Sequence, residues 1–389
     1  MIRTTLSVLD LSPISSGSDA AAALGQSVEL AQQAEDLGYS RIWFAEHHLT
    51  PGVASSAPAV LAALVAERTR HIRVGSGAVL LAHTSATQAV EQSATIARLH
   101  PGRVDLGLGR ASTPPAAGAA TRAAGATTPA AGATRPAEAR PGDREVDGVL
   151  IPAAPPSGRN TEALVRWIAS HQRIVGPRAN APSYREELTL ALQLLGAGHR
   201  DEAGLHASPV ASGAHVELWS LASSGGESAT VAGELGLPLV ANYHVSPATV
   251  LDTVVAYRAA FRPGVRAEPY VAVSADVVVA DTTPRARELA AGYGTWVLSV
   301  REARGAIPYP NPEEAAAHPW DEESRALVRD RVQTQFVGDA EGVGDGLRAL
   351  AAVTGADELF ITTITHNHLD RLHSYALLAR AWDRVPVHA

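Results

Sequence analysis

Residues 40–48 read SRIWFAEHH and residues 102–110 read GRVDLGLGR. In the first stretch Ile42, Trp43, Phe44 and Ala45 make an apolar run of the length of a strand buried on both faces. Glu46, His47 and His48 follow it with no spacer. In the second, Val104, Asp105, Leu106, Gly107 and Leu108 lead straight into Gly109 and Arg110. Titratable groups placed where several parallel strands end mark the active-site face of an α/β barrel. These two stretches therefore set a fold expectation that the rest of the chain has to meet.

Outward from them, the pattern repeats. TLSVL at 5–9 predicts a strand, and Leu24, Val28, Ala31, Ala34 and Leu37 recur at helical spacing over 19–37, with Gly38 at the position of a C-terminal cap. A helix at about 57–69, a strand at 72–81 interrupted by Gly75 and Gly77, and a helix at 85–99 lie between the two opening stretches. Strand–helix pairs of this kind imply a parallel sheet, because parallel strands need a crossover. After residue 180 the alternation resumes: a strand, a Ser/Gly turn and a helix over 216–236, a strand at 237–244, a helix at 247–261, a strand at 269–280 and a helix at 284–303. An irregular Pro-rich stretch at 307–320, helices at about 321–334 and 339–353, a strand at 358–364 and a helix at 368–383 complete the chain. Eight strands are what a closed (β/α)8 barrel needs.

From Thr113 to about Asp143 the chain is Ala/Gly/Pro/Thr-rich, with AAGAT at 123–127 and again at 130–134. Such a composition buries little and has no periodic face, so a mobile stretch is expected within an insertion at 112–180. It leaves from the end of the fourth strand, where a lid and an inert linker expansion are both open readings. Helices are expected again at 161–171 and 183–195.

The 389 residues are 46% hydrophobic and 19% charged, with a formal charge of −8. That is a globular composition without the basic footprint of a nucleic-acid binder. The absence of cysteine excludes disulfides, thiolate metal sites and a thiol nucleophile. All 32 basic residues are Arg, which excludes a lysine Schiff base and lowers the information in any single arginine. No apolar run approaches a membrane span, and the first residues read directly into a strand, so a cytoplasmic protein is expected.

Ser223, Ser224, Gly225 and Gly226 stand between a strand and a helix that begins near Glu227 and Ser228. Free amides at a helix start, the helix dipole and nearby hydroxyls favour an anion such as a phosphate, and glycines permit close approach. An ordinary capped turn has the same spelling. Arg110 is a bidentate partner for such an anion, or a surface arginine. Glu46-His47-His48 admits three readings: a metal site (with His366 and His368 as further ligands), an acid/base site, or a polar strand end. Adjacent residues of an extended strand point opposite ways, so His47 and His48 do not face one ion while the strand persists.

The chain resembles the luciferase-like flavin monooxygenases, the bacterial luciferase superfamily. The resemblance rests on LSVLDLSP, AEDLGYSRIWFAEHH, IRVGSGAVLL, QAVEQ and LHPGRVDLGLGRA, and resumes at SSGGESATVAGELGLP, FVGDAEGVGDGLRAL, TGADELFITTI and DRLHSYALLA. It covers most of the chain outside roughly 112–180, in collinear order. It implies an α/β fold, a (β/α)8 TIM barrel of the bacterial luciferase type, holding FMN as FMNH2 at the strands' C-terminal ends. His47 matches the family's catalytic histidine and Arg110 the arginine that grips the FMN phosphate. Ser223, Ser224, Gly225, Gly226 and Ser228 match the phosphate-binding turn. Gly75, Ser76 and Gly77 match the segment under the isoalloxazine ring, where relatives often carry a non-prolyl cis peptide. Tyr243 falls where relatives place an aromatic or polar group near the flavin. There are departures. Ala82, His83, Thr84, Ser85 and Ala86 stand where relatives have Pro-His-aromatic-Ser-Pro, Gly109 replaces the reactive cysteine of true luciferases, and 112–180 is unlike the usual connection.

The resemblance thus implies a two-component monooxygenase of FMNH2 and O2, acting through a flavin C4a-hydroperoxide on a small organic substrate. Epoxidation, hydroxylation and Baeyer–Villiger oxidation are all open, and a polyketide-type secondary metabolite is one substrate to expect. With no dinucleotide fingerprint of its own, the chain is expected to draw FMNH2 from a separate NAD(P)H:flavin reductase and to form a homodimer. The alternatives are a deazaflavin-dependent hydride-transfer enzyme of the same fold, a non-catalytic flavin-binding protein, and a metal-dependent barrel hydrolase.

Overall fold

The computed structural model describes residues 4–110, 142–156, 162–176, 178, 181–302 and 305–383. The first part alternates strictly: β1 (Thr5–Asp10), α1 (Ala20–Asp36), β2 (Arg41–Phe44), α2 (Pro58–Arg68), β3 (Arg73–Leu80), α3 (Ala86–Leu99) and β4 (Val104–Gly109). Two antiparallel hairpins and two helices intervene: β5 (Arg144–Val146), β6 (Val149–Ile151), α4 (Glu162–Val175), α5 (Tyr184–Leu195), β7 (His199–Asp201) and β8 (Gly204–His206). The alternation then resumes with β9 (Val216–Ala222), α6 (Glu227–Glu234), β10 (Leu239–Asn242), α7 (Val250–Ala260) and β11 (Val271–Val279). Next come α8 (Thr283–Leu289), α9 (Tyr293–Arg301), α10 (Pro312–Ala316), α11 (Glu322–Thr334), β12 (Phe336–Gly338), α12 (Ala340–Thr354), β13 (Glu358–Thr362) and α13 (His368–Asp383).

Eight of these strands, β1–β4, β9, β10, β11 and β13, pair in parallel and close into a barrel, β1 meeting β13 on one side and β2 on the other. β10 pairs with both β9 and β11, which completes the ring, and the short β12 pairs in parallel beside the C-terminal end of β11. The helices start and stop where their end residues dictate. Asp19 accepts the Ala22 amide at 2.8 Å to begin α1, and Gly38 follows it at φ +80°. Ser85 and Gln88 form a reciprocal capping box on α3.

Side chains of alternate residues fill the barrel in layers. At the N-terminal end Arg41 meets Asp105 at 2.9 Å, Glu217 at 3.0 Å and Glu358 at 2.8 Å. Above it Trp43, Trp219 and Phe360 pack together, with Trp43–Phe360 centroids 4.3 Å apart. Gly75 leaves room for Trp43 of this layer, and Gly107 for the close approach of β3. A Cβ on Gly75 would stand 2.5 Å from the Asp105 carbonyl oxygen, and one on Gly107 2.3 Å from that of Ser76. Above the aromatic layer the barrel opens into a cavity.

Several expectations change here. The helix foreseen at 284–303 is two helices, α8 and α9. The chain turns at 290–292, and at Gly292 a Cβ would meet the Pro310 carbonyl oxygen at 2.9 Å. The Pro-rich 307–320 stretch holds α10, started by an Asn311–Glu314 capping box. Within the expected insertion, the β5–β6 hairpin turns on Asp147 (φ +47°) and Gly148 (φ +81°), an Asp-Gly pair with the left-handed geometry that hairpin turns favour. Val149 and Ile151 of that hairpin are buried in the main core. The low-complexity stretch at 113–143 lies outside the described residues except for Gly142 and Asp143. Among the described residues no helix is long and apolar enough to cross a membrane.

Candidate active site

The C-terminal ends of the barrel strands surround a cavity of about 620 Å³, within the usual span of cofactor and small-molecule sites, roughly 300–1,000 Å³. A smaller concavity of about 190 Å³ lies at the other end, against Thr4, Tyr39 and Trp382, on the face that serves stability in such barrels.

One wall comes from the end of β2. The Ala45 amide donates to the Asp10 carbonyl at 3.0 Å and the His47 amide to the Ser55 carbonyl at 2.9 Å, so the chain stays held past the last strand residue. The three titratable groups then separate. Glu46 Oε1 takes His48 Nε2 at 2.7 Å, and its Oε2 accepts the Leu80 amide at 2.8 Å. His47 turns the other way and lines the cavity, with no hydrogen bond to its ring among the described residues. Enclosure in the barrel mouth, then the neighbouring His48, push its pKa down to about 4. The ring itself lies open to the cavity, so water in the cavity counters that push and a bound molecule lets it act in full.

The floor is the β3–β4 pair, which slips register between Ser76 and Val79. The Gly77–Ala78 peptide bond is cis, and both residues line the cavity. Gly75 and Ser76 do not. Gly75 lies lower, against Trp43 and Asp105, and the buried Ser76 hydroxyl bridges the Gly107 amide and carbonyl at 3.1 Å each.

The third wall gathers groups suited to an anion. Arg110 at the end of β4, Ser223 and Ser224 after β9, and Ser228 in α6 all line the cavity. The turn is fixed by Asn242 Nδ2 donating to Ser223 Oγ at 3.1 Å and by Thr249 Oγ1 donating to the Ser223 carbonyl at 2.6 Å. α6 starts at Gly226 with no side chain capping its amides. Arg110 Nη1 meets Glu227 Oε2 at 2.5 Å. Gly225 and Gly226 are not part of the cavity surface. At Gly225 the glycine answers to packing, since a Cβ would approach the Asp252 carbonyl oxygen of α7 to 2.8 Å.

Tyr243 departs from its expected place. It faces outward, buried, its hydroxyl donating to the Leu150 carbonyl at 2.7 Å and its ring tilted against Phe336. Its neighbours Asn242 and His244 line the cavity instead, as period-two alternation requires. His244 Nδ1 is 2.5 Å from Ser274 Oγ, and burial, then Arg331 and His47, push its pKa down to about 3. Sequence reasoning missed His244, and with it Asp276, Thr362 and Arg331, which close the cavity opposite Arg110. Ser274 and Asp276 carried a signal, being polar residues two apart in the otherwise apolar strand VAVSADVVV. Arg331, one arginine among many on a polar helix, carried none. His366 and His368 go elsewhere, the first to the Ser16 carbonyl at 3.0 Å and the second to Glu29 at 3.3 Å. Among the described residues no three His, Asp or Glu side chains are grouped to hold a metal.

The arrangement thus offers an anion pole, a neutral histidine with both ring nitrogens unengaged, and an apolar floor within one cavity. A family model described as luciferase-like monooxygenase matches residues 4–156 and 184–358. The Bacillus subtilis (strain 168) protein YvbT is 34% identical over 384 residues, 97% of each chain. The solved structure of apo-MsnO8 is similar at a TM-score of 0.72 with 27% identity, over 99% of each chain. The oxygenating constituent of the Pseudomonas putida 3,6-diketocamphane monooxygenase, solved in complex with FMN, shares the fold at a TM-score of 0.64 with 18% identity, over 100% of both chains.

Proposed function

The chain belongs to the luciferase-like monooxygenase family, and on that premise we propose that it is a two-component flavin-dependent monooxygenase that inserts oxygen into a small organic substrate. The observation that carries this reading is the pairing, in one cavity, of the Arg110–Ser223–Ser228 anion pole with the unengaged His47. The residues fit a flavin mononucleotide. The α6 amides have no side-chain cap, the hydroxyls of Ser223, Ser224 and Ser228 are at hand, and Arg110 has its fork beside them. Bound there as the reduced form from a separate reductase, FMN supplies the activation of O2.

The protein's own contribution is binding, orientation, exclusion of water and proton handling. The Gly77–Ala78 floor carries no side chain larger than a methyl group, which leaves room for a flat ring. Leu9, Leu11 and Ile364 line the cavity and help to exclude water once a ligand fills it. His47, neutral at physiological pH, accepts or returns a proton at a ring nitrogen, and its fixed backbone keeps that nitrogen in the cavity.

Anaerobic titration of the protein with FMNH2, followed by an oxygen pulse and absorbance detection, tests the reading. Reoxidation that differs in rate and course from that of free FMNH2, and that changes again in His47→Ala, supports it. FMNH2 that reoxidises as in free solution, together with tight binding and turnover of a deazaflavin, replaces it with hydride transfer.

A further inference from the structure

The cavity has a second polar pole, opposite Arg110, that the flavin reading leaves unused. Arg331 of α11 forms part of the cavity wall with 6% of its surface exposed. Its carboxylate neighbour, Asp276, is held at a long distance, and with Tyr293 it favours the cation against burial. Nη2 approaches Asp276 Oδ2 at 3.4 Å, whereas the nearby Arg301 grips Asp330 with two bonds of 2.5 and 2.7 Å. Nε is buried with no hydrogen bond. Asp276 is shared with the Tyr293 hydroxyl, and burial pushes its carboxyl up while Arg331 and that hydroxyl hold it down. Thr362, the register partner of Asp276 on β13, has a buried hydroxyl without a partner, as has the indole N–H of Trp296. Tyr293 and Trp296 flank the guanidinium at 5.5 and 5.7 Å.

The Arg331 Nε–H, the Thr362 hydroxyl and the Trp296 indole N–H are thus donors without acceptors among the described residues in this patch, around a cation that Asp276 meets only at 3.4 Å. We propose that the Arg331–Thr362 pole binds the carboxylate of an organic acid substrate, so that the enzyme acts on carboxylate-bearing molecules whose apolar part lies along Trp296 and Ile364. This rests on the monooxygenase reading for its consequence, since it names the substrate class of that cavity. Arg331 is here a binding residue, and its guanidinium fork suits a planar carboxylate.

The test is isothermal titration of the full chain, free and FMN-loaded, with hexanoate and with hexanamide as its neutral match. Wild type is expected to bind hexanoate about tenfold more tightly than hexanamide, the scale of one charge-assisted hydrogen-bond set. Arg331→Gln should lose that preference while its FMN affinity and melting curve stay close to wild type. Asp276→Asn, which removes the one competing carboxyl, should tighten hexanoate severalfold, a gain that misfolding does not produce. The proposal falls if wild type shows no preference, if Arg331→Gln keeps it, or if Asp276→Asn does not tighten hexanoate. It also falls if Arg331→Gln loses FMN instead, which would assign the arginine to the cofactor. Failure of wild type to bind FMN at all would overturn the flavin reading, while titration of the free protein would still judge Arg331.

Discussion

The imidazole Nε2 of His48 lies 2.7 Å from Glu46 Oε1, and the other oxygen of that carboxylate accepts the Leu80 amide at 2.8 Å. One buried carboxylate therefore ties the end of β2 to the end of β3, and His48 is its partner while His47 is left to the cavity. Glu46→Ala should cost about 1–3 kcal/mol in urea unfolding, because it strands both a half-buried amide and an imidazole. Glu46→Gln, which keeps an acceptor for Leu80, should cost less, and His47→Ala should move stability least of the three. Equal losses in all three would mean that the carboxylate is not the tie.

Arg110 and Glu227 form an ion pair across the mouth of the anion pole. Both are well exposed, so the pair adds little to stability. Its consequence is for ligand binding, since Glu227 competes with a phosphate for the same guanidinium. Glu227→Gln should tighten FMN several-fold, and Arg110→Ala should weaken it by about ten- to a hundredfold, with riboflavin affected much less. Fluorescence titration with the two flavins measures this. An equal loss of FMN and riboflavin in Arg110→Ala would place the phosphate elsewhere.

Two glycines separate close packing from conformational freedom. A Cβ on Gly75 would stand 2.5 Å from the Asp105 carbonyl and 3.0 Å from Trp43, whereas one on Gly25, at an exposed position of α1, would meet nothing within 4 Å. Gly75→Ala should therefore destabilise by about 1–3 kcal/mol or more through overpacking. Gly25→Ala should stabilise by roughly 0.4–1 kcal/mol by limiting the unfolded chain. Thermal melts of the two single variants check the signs, and a neutral Gly75→Ala would mean that the aromatic layer can shift.

The barrel was legible because its strands are short apolar runs separated by helical periods, and because SRIWFAEHH ends in groups that have no place in a core. The His47 side of the cavity was legible for the same reason. Tyr243 was misplaced by one residue: in a strand, adjacent positions face opposite sides, and no local signal in LVANYH says which side is in. Asp276 could have been found from its place in an apolar strand. Arg331 could not, because it reaches the cavity through tertiary packing of α11, and helix α11 is polar for reasons of its own. The Asp147-Gly148 hairpin was missed since low-complexity sequence runs up to its edge, though its turn dipeptide is a strong local signal.

His244 and His47 make stability depend on pH in a direction that follows from their surroundings. Both rings are held below the usual histidine value of 6.5, to about 3 and about 4, because the barrel mouth disfavours the cation. The unfolded chain therefore binds protons that the folded chain refuses. The stabilisation is full above pH 6.5 and is lost as pH falls towards the folded values. Carboxylates add their own slope at the acid end, so the informative quantity is the difference between wild type and a variant. His244→Gln should flatten the fall in Tm between about pH 6.5 and about pH 4.5, keeping a side chain that can still reach Ser274. His47→Gln should flatten it less in the free protein, where water reaches the His47 ring, and more once FMN fills the cavity. Parallel curves for wild type and His244→Gln would mean that the ring takes up its proton in the folded state without penalty, and that Ser274 and the cavity solvate the cation.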